Sequence, residues 1–62
     1  MASELDISIS RHSGVKITKL TSFYRSHDHV AAISYRSGVL ILEGTRIWVL
    51  NELEKLNIPI IG

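Results

Sequence analysis

The chain has 62 residues, no cysteine and a formal net charge of +1. That length makes one domain, and the missing cysteine excludes disulfides and thiolate zinc sites. No run approaches the ~18 apolar residues of a membrane span.

A chain this short buries only about 60% of its unfolded surface, so a lone core is marginal. Small domains add disulfides, a metal or a partner chain. With disulfides excluded and 45% hydrophobic residues, a homo-oligomer, dimer or higher, is the expectation. The opening Met-Ala-Ser-Glu-Leu-Asp is acidic and polar, unlike a secretory leader. Together with the lack of cysteine it predicts a cytoplasmic protein. Charge is uneven along the chain. From Arg11 to Arg46 six bases face two acids, whereas the flanks carry four acids and one base. A basic centre suits phosphate or an acidic protein, and it equally suits plain solubility.

Leu5, Ile7 and Ile9 alternate with Asp6, Ser8 and Ser10. Period-two alternation predicts a half-buried strand. Arg11-His12-Ser13-Gly14 reads as a turn, with Gly14 free to take positive φ. Val15 to Phe23 begins as a second strand with Val15 and Ile17 on one face. Leu20 breaks that phase, so either a bulge lies near Lys19 or the pairing ends there. Ser26-His27-Asp28 is turn-like, Val30 to Tyr35 is the next strand, and Ser37-Gly38 closes it. Val39 to Leu42 is apolar on both faces, the pattern of a strand that is central or buried on two sides.

Thr45 to Asn57 has two readings. As a strand, Arg46 to Leu50 pairs back on Val39–Leu42 through a Glu43-Gly44-Thr45 turn. As a helix, Thr45 is the N-cap, and ~100° per residue gathers Val49, Leu50, Leu53 and Leu56 on one side. Asn57 and Pro59 then end it. The helix is preferred, because one pattern accounts for twelve residues. Ile58 to Ile61 becomes a short final strand, and Pro59 places it at an edge or across a subunit boundary.

The chemistry-bearing residues concentrate in Phe23 to Arg36, where Tyr-Arg-Ser occurs at Tyr24-Arg25-Ser26 and again at Tyr35-Arg36-Ser37. Tyrosine offers a stacking face and arginine a forked donor for phosphate. The same two residue types dominate protein–protein hot spots. Tyr24, Arg25, Tyr35 and Arg36 are therefore candidate contacts, joined by Arg46 and Trp48 on the helical reading. Trp48 falls toward the polar side of that helix, where an open indole suggests an interface anchor. His27 and His29 share a strand face and need a third ligand, His12 or Asp28, to hold a metal. No nucleophile elbow or phosphate-cradling glycine loop occurs. No metal, cofactor or catalytic residue is therefore assigned, and the chain is not read as an enzyme.

Gly38-Val39-Leu40-Ile41-Leu42-Glu43-Gly44-Thr45-Arg46-Ile47 resembles the second signature of Sm-like RNA-binding proteins. Glu43 stands where that family carries a basic residue. The layout of Gly14 to Leu50, with Ser22-Phe23, Gly38 and Gly44 at its corners, is similar to that of sporulation proteins of the YabP/YqfC type. The first likeness implies RNA binding and the second a β-rich, non-catalytic protein. Both depend on the hairpin reading of Thr45–Leu50.

The expected fold is α+β, a small antiparallel sheet of three to four strands with one C-terminal helix over about 45–57 and a short final strand. Val49, Leu50, Leu53 and Leu56 are expected to cover Leu5, Ile7, Ile9, Val15, Ile17, Ile33, Leu40 and Leu42. The expected function is a small binding module that docks on a larger macromolecule as a regulator or inhibitor, of the kind phages encode. One alternative is an oligomeric binder of nucleic acid or nucleotide through the Tyr/Arg face. Another is a structural assembly subunit.

Overall fold

The computed structural model describes residues 2–20 and 28–61. Along the chain run helix α1 (Glu4–Ser13), strands β1 (Val15–Lys19), β2 (His29–Ser34) and β3 (Leu40–Thr45), and helix α2 (Arg46–Lys55). The strands form one antiparallel sheet in the order β1-β2-β3. This is the expected α+β class, with a second helix where a first strand was expected.

That correction has a local cause. Ser3 and Asp6 close a capping box: Ser3 Oγ accepts from the Asp6 N–H at 3.3 Å, and the Asp6 carboxylate accepts from the Ser3 N–H at 3.2 Å. Two donors of the first turn are satisfied in this way. Acidic Glu4 and Asp6 at the start, with Arg11 and His12 at the end, suit the helix dipole. The alternation of Leu5, Ile7 and Ile9 is thus not a strand face. Leu5 is 69% exposed and Ile7 is half-buried, while Ser10 is fully enclosed. Gly14 ends the helix at φ 83°, its N–H donating to the Ser10 carbonyl at 2.7 Å. The left-handed residue is as expected, although Arg11 to Ser13 are helical rather than turn.

β1 pairs without interruption from Val15↔Ser34 to Lys19↔Val30. No bulge interrupts this register, and the Leu20 N–H continues it by donating to the His29 carbonyl at 2.9 Å; the rest of the segment to Phe23 lies outside the described residues. The register slip lies instead between β2 and β3, which passes from Ala32↔Leu42 to Ile33↔Leu40 and leaves Ile41 without an opposite residue. An extra residue of this kind changes which face each neighbour takes. Ile41 and Leu42 are consequently buried in succession, whereas Leu40 is 46% exposed. Val39–Leu42 is therefore not a central strand. β2 is central, and β3 is an edge whose apolar run comes from the bulge.

α2 begins as read. Thr45 is extended, and its Oγ1 accepts from the Trp48 N–H at 3.4 Å. The end is a Schellman motif: Ile58 N–H donates to the Leu53 carbonyl and Asn57 N–H to the Glu54 carbonyl, with Asn57 at φ 58°. Ile58 and Leu53 are both buried, the apolar contact that accompanies this cap. The chain then meets β1. Val15 N–H donates to the Pro59 carbonyl at 2.9 Å, and Ile61 N–H donates to the Val15 carbonyl at 2.8 Å. The final segment is one parallel bridge, Val15↔Ile60, on the outer edge of β1.

Both helices contact β2, and α2 also contacts β3. Their shared core is Val15, Val30, Ala32, Ile41, Leu42, Val49, Leu53 and Ile58, with Ala2, Ile7, Ile17 and Leu56 partly buried against it. Of the expected core, Leu5, Leu40 and Leu50 are exposed. Leu5 and Leu50 lie off the inward arcs of their helices, and Leu40 precedes the bulge. Ile33 pairs with Lys16 and Leu40, which puts it on the sheet face away from the core.

Candidate docking site

Trp48 is set by the junction between β3 and α2. The N-cap at Thr45 fixes the start of the helix, and the indole lies back over Gly44. A Cβ on Gly44 would stand 2.8 Å from Trp48 Cε3, so glycine is what admits the ring there. Trp48 remains 46% exposed. On one side it borders a groove of about 370 Å³ lined by Ala2, Ile7, Ile41, Leu42, Glu52 and Leu56. On the other side a smaller depression of about 210 Å³ follows β3 from Leu40 to Glu43. The two share Ile41, Leu42 and Trp48.

The larger groove combines three elements. α1 supplies Ile7, with Ala2 just before it; β3 supplies the floor; α2 and its C-cap supply Trp48, Glu52 and Leu56. Arg11 holds α1 in place across the gap, its Nε donating to the Leu56 carbonyl at 2.9 Å. Among the described residues Glu52 is the one charged residue on the groove wall, and it lies 3.9 Å from Lys55. A partly solvated pair of that kind contributes little to stability. The arrangement suits an apolar side chain entering beside an indole, with one carboxylate at the rim.

The structure divides the residues expected to form one contact face. Tyr24 and Arg25 lie outside the described residues, as does His27. Tyr35, 62% exposed, and Arg36 occupy the turn between β2 and β3. Arg46 follows the opposite end of β3, where its N–H donates to the Asp28 carbonyl at 2.8 Å. A six-residue strand, roughly 17 Å at ~3.4 Å per residue, separates those two places. Tyr35 and Arg36 therefore do not converge with Arg46, and of the expected contacts among the described residues Trp48 alone lines the groove. Ala2, Ile7, Glu52 and Leu56 carried no sequence signal as a site, because their meeting depends on α1 being a helix.

Among the described residues no group of three or more His, Asp or Glu is placed to hold a metal. No helix among them is long and apolar enough to cross a membrane. Residues 46–55 are helical, so the second strand required by both the Sm-like and the sporulation-protein likenesses is not there. Comparisons with protein-family models, curated proteins and solved structures gave no match for this chain.

Proposed function

We propose that the protein is a small cytoplasmic, non-enzymatic binding module that docks on a larger protein and regulates or inhibits it through the groove beside Trp48. The supporting observation is the half-open indole flanked by apolar concavities on a chain of 62 residues. Hot spots of protein–protein interfaces are enriched in tryptophan and sit in well-packed pockets that exclude water. The partner is expected to insert one or two large apolar side chains.

Selection of displayed peptides against the immobilised chain tests this. Enriched peptides should share an apolar anchor, bind with little change between about 50 and about 200 mM salt, and lose at least tenfold in affinity against Trp48→Ala. Binding of polyanions alone, weakening steeply over that salt range, would replace this reading with phosphate recognition by the basic centre.

A further inference from the structure

We infer that the groove takes an arginine-bearing apolar segment of a partner protein, with the guanidinium lying over the Trp48 indole and forking onto the Glu52 carboxylate. The inference rests on that groove being the docking site, and goes beyond it by naming the charge and shape of what enters.

Spacing is the first reason. Trp48, Glu52 and Leu56 recur at intervals of four, and all three line the groove. Residues four apart on a helix are neighbours on one face, with about 5–6 Å between Cβ atoms. An indole and a carboxylate at that separation lie within reach of one guanidinium. Such a group stacks on an aromatic face and meets a carboxylate through two parallel N–H donors. Lysine has the charge without the plane or the fork.

Sign is the second. Among the described residues, Glu52 and Glu43 are the charged residues lining the groove and the depression beside it, and no Lys, Arg or His joins them. The whole chain has seven Lys and Arg against six Asp and Glu. This surface is therefore acidic on a chain whose balance is basic, and an anionic segment meets like charge there.

Burial is the third. The Glu52 side chain is 29% exposed, and its ion pair with Lys55 is 3.9 Å long, with the Lys55 side chain 73% exposed. That distance is beyond a hydrogen bond. An apolar segment covering the groove takes more of this carboxylate out of water, and burying a charge is costly unless it is paired and hydrogen-bonded. The partner that fits best brings the donor itself, while its apolar side chains rest on Ile7, Leu42 and Leu56.

Short labelled peptides test this, selected by display against the full chain and then titrated by fluorescence anisotropy. The selected sequences should place an arginine within a few positions of an apolar anchor. Replacing that arginine by lysine should weaken binding several-fold, and replacing it by citrulline, which is neutral and of the same shape, roughly tenfold or more. Against Glu52→Gln the arginine and citrulline peptides should bind alike. Lys55→Ala, which removes a competing cation, should tighten the arginine peptide. The citrulline comparison needs no change in the protein, so it stands even if a variant fails to fold. Anchored peptides that lose affinity against Trp48→Ala yet show no preference for arginine over citrulline would overturn the inference and leave the docking groove in place. An arginine preference that survives Glu52→Gln, or weaker binding with Lys55→Ala, would do the same. Peptides indifferent to Trp48→Ala would overturn the groove as the docking site, and the inference with it.

Discussion

Replacing Ser10 by alanine is expected to stabilise the protein. Ser10 is 0% exposed, and its Oγ has no hydrogen-bond partner among the described residues. Its carbonyl is used, accepting from the Gly14 N–H, and alanine keeps that bond. Burying a hydroxyl without a partner costs about 1–3 kcal/mol by mutational measures. Alanine also favours the helix interior over serine by a few tenths, about 0.5 kcal/mol. Against this stands the loss of one oxygen's packing, a handful of contacts at ~0.1–0.2 kcal/mol each. The net gain is about 1 kcal/mol, which in a domain this small raises the midpoint by about 4–8 °C. Urea and thermal unfolding at one fixed protein concentration measure it, followed by both Trp48 fluorescence and circular dichroism. Ser10→Thr, which adds a methyl group to a filled site, should go the other way. A midpoint that falls or stays level with Ser10→Ala would show that the hydroxyl is paired, and would refute the reasoning.

Two further substitutions test how the elements end. Gly14→Ala places a Cβ against Ile61 Cγ1, with Cδ1 at 2.7 Å and the Pro59 carbonyl at 3.1 Å, on a residue at φ 83°. It should cost about 2–3 kcal/mol in urea unfolding, and adding Ile61→Ala should restore only part, because the backbone strain remains. Asn57→Ala, at φ 58°, should cost about 1 kcal/mol, whereas Asn57→Gly should be neutral or slightly stabilising. An equal loss in both would mean that the Asn57 side chain, rather than its backbone conformation, supports the cap.

α2 was legible because its punctuation is local. Thr45 caps it, Asn57 ends it and Pro59 prevents continuation, and each acts within a few residues. β1 and β2 were legible from their apolar residues and from Gly14 and Gly38. α1 carries the pattern of a strand because three alternating apolar residues look the same in a strand as in a short helix with few apolar contacts. The deciding signal was Ser3 with Asp6 three residues on, a cap built on aspartate rather than the commoner glutamate or glutamine. The bulge at Ile41 left no mark in the sequence, since Leu40-Ile41-Leu42 is as consistent with a central strand as with an edge that slips. The groove was illegible for a different reason. Ala2 and Ile7, Ile41 and Leu42, and Trp48 and Leu56 are brought together only by tertiary packing, whereas Tyr-Arg-Ser drew attention by residue type alone.

The manner in which α1 is attached has a consequence for recognition. It enters the core through Ser10 and a half-buried Ile7, and the Arg11 guanidinium ties it to the Leu56 carbonyl. Segments with few buried apolar contacts open at lower free energy than the core they rest on. One wall of the groove buries only Ser10, while the opposite wall, α2, is anchored by Val49 and Leu53. A cleft with one yielding side can change its width without disturbing the sheet beneath, and so admit partners that differ in bulk.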